Sequence, residues 1–108
     1  MDVSDLRRSA TGRTLEREDL DADPFRQFED WFRLACGADV LDPNAMSIAT
    51  VDDQGRPTSR TVLLKYFDER GFVFFTNLES NKAKQIAGNE HVSLLFFWPP
   101  LGRQVGIR

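Results

Sequence analysis

Two apolar runs, Thr58 to Phe67 and Gly71 to Thr76, flank the tetrapeptide Asp68-Glu69-Arg70-Gly71. No other feature constrains the fold as much. β-Branched and aromatic runs separated by a short polar stretch that ends in Gly predict an antiparallel hairpin. The same grammar extends in both directions. Ala45 to Val51 reads as a strand, followed by the turn signal Asp52-Asp53-Gln54-Gly55, with Pro57 just beyond. His91 to Phe97 reads as a fourth strand, Trp98-Pro99-Pro100-Leu101-Gly102 as a rigid loop, and Arg103 to Arg108 as the beginning of a fifth strand. Successive strands with short turns predict an antiparallel meander, which small proteins close into a barrel. No turn, cap or polar tail follows Ile107-Arg108, so the barrel is expected to be incomplete at its C-terminal side. Further polypeptide or a second subunit would cover such an edge.

Two helices flank the strands. Asp23-Pro24 is a start signal, because Asp caps free amides and Pro loses nothing at the first helical position. Phe25, Phe28, Phe32 and Ala35 then recur at three- and four-residue spacing beside Trp31, and Gly37 ends the run. This stripe predicts core packing against a sheet. Cys36 lies in the same pattern and is expected to be a buried structural thiol. Ser80 can cap a shorter helix whose apolar side includes Ala83, Ile86 and Ala87, closed by Gly88-Asn89. The fold class is therefore mainly β with flanking helices. Residues 1–22 are polar, of mixed charge, and are expected to form a flexible arm with at most a short helical piece. Residues 23–108 form the folded domain.

At 108 residues the chain holds one domain, and 41% hydrophobic residues with nine Phe suffice for a core. A net charge of −3 gives no global field for nucleic acid or an anionic membrane. One cysteine excludes an internal disulfide and a multi-cysteine zinc site. No apolar run reaches the length of a membrane span, and the charged N-terminus is not a secretory signal, so a cytoplasmic location is expected.

Any cation cluster must then be local. Phosphate recognition needs cations and hydroxyl or amide donors converging on one point. Arg60 supplies a planar fork early in the second strand. Thr76 and Ser80 supply hydroxyls around the following loop, and Lys82 stands in the first turn of the short helix, where unpaired amides favour an anion. Together they predict a site for a phosphate monoester. Lys65 lies an odd number of residues from Arg60, so a regular strand sends it to the opposite face, toward a different anionic group. A lysine that guards a strand edge against aggregation would look the same. Leu63 and Leu64 can line a flat ring or simply pack. His91, the only histidine, has no partner arrangement for catalysis, and no His/Cys/Asp spacing predicts a metal.

These residues lie within six ordered blocks: R-E-D-L-D-A-D-P at 17–24, A-T-V-D-D-Q-G-R-P at 49–57, R-T-V-L-L-K at 60–65, F-F-T-N-L-E-S-N-K at 74–82, V-S-L-L-F at 92–96 and R-Q-V at 103–105. In these blocks the sequence resembles the pyridoxamine 5′-phosphate oxidases, FMN-binding split-barrel homodimers. The resemblance implies FMN contacts along Arg60, Thr61, Val62, Leu63, Leu64 and Lys65, with Arg60 near the phosphate. It implies further FMN contacts from Phe75, Thr76, Ser80, Asn81 and Lys82, and from Gln104 toward the ring system. Lys65 would bind the substrate phosphate, and Arg7 of the N-terminal arm would reach the same substrate. No residue is expected to act as a strong acid or base, so no catalytic side chain is assigned.

The implied reaction is oxidation of pyridoxamine or pyridoxine 5′-phosphate to pyridoxal 5′-phosphate, with dioxygen giving hydrogen peroxide. Related split-barrel flavoproteins acting in phenazine formation or as flavin reductases are the alternative, as is a fragment that binds FMN without turnover. Three departures from the family pattern stand out. Asn81 replaces an arginine common at that place, and Ala10 replaces a frequent tyrosine, although Arg7 and Arg8 remain. The family's second half, with further substrate contacts, has no counterpart in these 108 residues.

Overall fold

The computed structural model describes residues 1–7, 14–77 and 79–108. Arg8 and Ala10 lie outside the described residues. Five strands form one antiparallel sheet in the order β3-β2-β1-β4-β5: β1 Ala45–Val51, β2 Pro57–Asp68, β3 Gly71–Phe74, β4 Ser93–Trp98 and β5 Arg103–Ile107. The sheet does not close on itself and leaves β3 and β5 as edges. It is an incomplete split barrel, but not the simple meander that the short turns predict: the connection through α2 carries the chain across the sheet, and β4 pairs with β1 instead of β3. Helix α1 (Pro24–Gly37) precedes the strands, and α2 (Asn81–Gly88) joins β3 to β4.

Local chemistry explains the turns and the helix starts. The Asp23 carboxylate accepts the Phe25 N–H at 2.9 Å, and Ser80 Oγ accepts the Ala83 N–H at 3.2 Å, so each helix has the cap its sequence predicts. Between β1 and β2, Asp52 Oδ1 accepts the N–H groups of Gln54 and Arg56 at 2.9 and 2.8 Å. Gly55 completes that turn at φ +77°, a conformation that disfavours side-chain-bearing residues. In the N-terminal segment a 3-10 turn, Arg17–Asp19, is closed by a capping box between Glu16 and Asp19.

One face of the sheet carries the core. Met46, Ile48 and Thr50 of β1, Leu64 of β2 and Leu94, Phe96 and Trp98 of β4 are all buried, at the two-residue spacing of a pleated strand. Phe28 of α1 packs at the centre of this face. Its ring meets Phe67 and Phe72 edge-on at 4.9 and 5.0 Å, and lies 5.0 Å from Phe96 and 6.0 Å from Trp98. The aromatic stripe of α1 is thus core packing.

The structure corrects four further expectations. Trp98 closes β4 instead of opening a loop: it continues the inward series of Leu94 and Phe96, and its indole N–H donates to the Pro43 carbonyl at 3.0 Å. Cys36 is exposed, because Ala35 takes the inward position and the next residue turns about 100° away. Ala87 of α2 is also exposed, and the side of α2 turned to the sheet carries Lys82, Ala83, Gln85 and Ile86. β3 ends at Phe74, which leaves Phe75 and Thr76 in the connection to α2.

Candidate functional site

The register of β1 against β2 sets Thr50 opposite Thr58 and Ile48 opposite Arg60. Arg60 and Thr58 are two residues apart on one strand and so share a face, the one that carries the core. The Arg60 guanidinium donates through Nη1 to Thr50 Oγ1 at 2.8 Å and through Nη2 to Thr58 Oγ1 at 2.9 Å. Thr50 is fully buried and Arg60 half-buried. Among the described residues no carboxylate is paired with Arg60, Lys65 or Lys82; the ion pairs lie at Glu29–Arg33, Asp52–Arg56 and Asp68–Arg70. A partly desolvated cation held by neutral hydroxyls keeps its charge available for an anion.

Helix α2 joins this cluster through Gln85, whose side-chain oxygen accepts from the hydroxyls of both Thr50 and Thr58, the latter at 2.7 Å. Lys82 lies three residues before Gln85, so the two are neighbours on one helix surface. Both are half-buried. At the same end of α2 the hydroxyls of Thr76 and Ser80 stand 3.2 Å apart. Gln85 thus ties the hydroxyl partners of Arg60 to α2, while Thr76 and Ser80 pair with each other at the start of that helix; among the described residues no hydrogen bond joins Arg60 to Thr76, Ser80 or Lys82. Asn81, the first residue of α2, is exposed and offers a short amide there. This donor set (guanidinium, ammonium, hydroxyls and helix amides) suits a phosphate monoester.

The other predicted residues divide between the faces of the sheet. Val62 and Leu64 point inward with Arg60, Leu64 being 5% exposed. Thr61, Leu63 and Lys65 are exposed on the outer face. Pairing with β3 breaks at Lys65: Leu64 faces Phe74, but Tyr66 faces Val73. Lys65 is thus the extra residue of a β-bulge, a device that re-aims a side chain. Beyond it Tyr66 is 57% exposed, while Phe67 returns to the core beside Phe28 and Phe32.

Gln104 is exposed on β5 opposite Phe97. Three strand spacings, roughly 14 Å, separate β5 from β2 in the sheet. Phe75 is 76% exposed beside Thr76. Arg7 is exposed, its N–H bonded to the Asp5 carbonyl at 2.9 Å, and no contact joins it to Lys65. His91 is exposed in the segment before β4. An open concavity of about 630 Å³ between the β1–β2 turn and α2 shares Gln85 with the cluster. Its charged lining is Asp52, Asp53 and Lys84, which does not suit an anion.

Sequence reasoning missed Gln85, Thr50 and Thr58. The available signal was a Thr–Thr pair flanking the Asp52–Gly55 turn. Gln85 itself carried none, since its partners lie 27 and 35 residues away.

The family model described as pyridoxamine 5′-phosphate oxidase matches residues 35–108. The chain is 63% identical over 108 residues to a pyridoxine/pyridoxamine 5′-phosphate oxidase of Rippkaea orientalis, covering all of this chain and 51% of that protein. It is 55% identical over 104 residues to the protein of that name from Serratia proteamaculans, covering 96% of this chain and 48% of that one. The chain thus spans about half the length of the curated relatives it matches. Among solved structures, PhzG of Burkholderia lata, in complex with tetrahydrophenazine-1-carboxylic acid, superposes with a TM-score of 0.84 at 27% identity, covering 92% of this chain and 50% of that one. A pyridoxamine 5′-phosphate oxidase-related, FMN-binding protein of Nostoc punctiforme shares the fold, with a TM-score of 0.61 at 24% identity over 74% of this chain and 42% of that one.

Proposed function

The chain belongs to the pyridoxamine 5′-phosphate oxidase family, and we propose that it forms the flavin-holding half of an FMN-dependent oxidase of pyridoxamine and pyridoxine 5′-phosphate. The observation that carries this reading is the Arg60 guanidinium, held by Thr50 and Thr58, tied through them to Gln85 of α2, and without a carboxylate partner among the described residues. In this reading Arg60, Lys82 and the Thr76 and Ser80 hydroxyls hold the FMN phosphate, with Asn81 and the first amides of α2 completing the cradle. Thr61 to Lys65 line the path of the flavin, Phe75 borders it, and Gln104 reaches its ring system. Lys65, lifted out of the ladder by its bulge, meets the phosphate of the substrate, and Arg7 closes over that substrate from the N-terminal segment.

FMN supplies the redox chemistry when bound: two electrons leave the substrate's C4′ and reach dioxygen, which becomes hydrogen peroxide. The side chains bind and orient the two partners, so proximity and fixed charge are the protein's contributions. The active unit is a homodimer in the cytoplasm, in which a second copy covers the open sheet.

Full-length protein should purify yellow, release FMN on denaturation, and produce peroxide with pyridoxine 5′-phosphate. Colourless protein that takes up no added FMN overturns the reading. The likeness to PhzG favours a second reading, in which the same scaffold serves a phenazine precursor. Peroxide formation with such a precursor but not with pyridoxine 5′-phosphate would establish that alternative.

A further inference from the structure

We propose that Gln85 is a positioning residue, whose side-chain oxygen aims the Arg60 guanidinium at the ligand phosphate through the hydroxyls of Thr50 and Thr58. The inference rests on the reading of Arg60 as a phosphate ligand.

A threonine hydroxyl has one proton to give and two lone pairs to receive with. Here both protons go to the same acceptor, the Gln85 oxygen. With the protons committed, both Thr oxygens turn lone pairs toward Arg60, which donates one N–H to each. The opposite orientation of the Gln85 amide would aim N–H groups at oxygens that already accept from Arg60. It would leave the buried Thr50 proton only the Thr58 oxygen, 3.4 Å away. The network therefore has one consistent polarity, running from the guanidinium through the hydroxyls to the amide oxygen.

That polarity has a mechanical result. Arg60 is fixed at two of its nitrogens, and its remaining N–H groups have no partner among the described residues and can turn to an anion. Because Gln85 belongs to α2, the same contacts set the distance between the guanidinium and Lys82, one helical turn earlier. A single neutral side chain thus sets the spacing of two cations that neither touch nor share a strand. Such preorganisation lowers the cost of binding a phosphate monoester.

The test uses full-length protein and two probes, FMN and riboflavin, which differ by the phosphate. Dissociation constants are read from flavin fluorescence at fixed pH and salt. Gln85→Leu and Thr58→Val should each weaken FMN about tenfold, while riboflavin binding changes less than twofold. Thr58→Ser, which keeps the hydroxyl, should restore FMN binding. The Arg60→Lys, Gln85→Leu double variant should bind FMN no more weakly than Arg60→Lys alone, since no oriented guanidinium remains to be lost. Equal losses for FMN and riboflavin, or effects of Arg60→Lys and Gln85→Leu that multiply, overturn the inference. Should Gln85→Leu fail to fold, the Thr58→Val and Thr58→Ser pair decides by the same criteria. Wild-type protein that binds both flavins equally, or neither, instead removes the phosphate role of Arg60 itself.

Discussion

Asn44 grips Leu64 at two points: the Leu64 N–H donates to the Asn44 carbonyl at 2.8 Å, and the Asn44 side-chain amide donates to the Leu64 carbonyl at 3.2 Å. Leu64 is the last residue before the pairing of β2 with β3 slips, so this grip fixes where Lys65 emerges. Asn44→Ala should lower stability by about 1 kcal/mol, the net value of one such hydrogen bond. It should also raise KM for pyridoxine 5′-phosphate while leaving FMN affinity unchanged. Urea melts and steady-state kinetics check both; an unaltered KM would show that the grip does not govern Lys65.

Lys65→Ala tests the substrate role directly. Loss of one charge-assisted hydrogen bond is worth about 1.5–3 kcal/mol, so KM for the phosphorylated substrate should rise roughly 10- to 150-fold. FMN content, read from the absorbance spectrum, should stay at the wild-type level. A KM within twofold of wild type would assign Lys65 to the strand surface alone.

Phe28 is the hub of the core, touching rings from β2, β3 and β4. Phe28→Ala should cost about 3–5 kcal/mol, through lost burial and the cavity left behind. In a domain this small that is a large share of the total stability, so thermal melts should show a collapse of Tm. Phe28→Leu should retain most of it.

Two turn carboxylates contribute to the acid limb of stability. The Arg56 backbone N–H, with help from its side chain and the Gln54 amide, holds the Asp52 carboxyl below its usual range. The Arg70 side chain, then its backbone N–H, does the same for Asp68. Each folded pKa lies below the unfolded one, so the stabilisation is complete well above about pH 4 and is lost as pH falls through the folded values. Urea midpoints should be level near neutrality and drop below about pH 4. Replacing both residues with Asn should flatten that acid limb.

Much of the fold was legible because it follows from periodicity and punctuation. Phe25, Phe28 and Phe32 announced α1, and the Asp-rich turns announced the β1–β2 and β2–β3 hairpins, but not that β4 returns to pair with β1. What escaped prediction depends on partners distant in sequence. Trp98 reads as loop because Pro99-Pro100 follow it, yet the alternation Leu94, Phe96, Trp98 carries it into the core. The bulge at Lys65 depends on how β3 pairs, which β2 alone does not encode. In the candidate site the cations were visible as charges, but what aims Arg60 was not. Thr50, Thr58 and Gln85 are ordinary residue types, joined only once α2 lies against the sheet.

Leu64, Tyr66 and Phe67 already supply the in-out-in order that β3 requires. With Lys65 set aside, Leu64, Tyr66 and Phe67 match Phe74, Val73 and Phe72 residue for residue. The hairpin therefore hosts one amino acid more than its ladder counts, set on the exposed face.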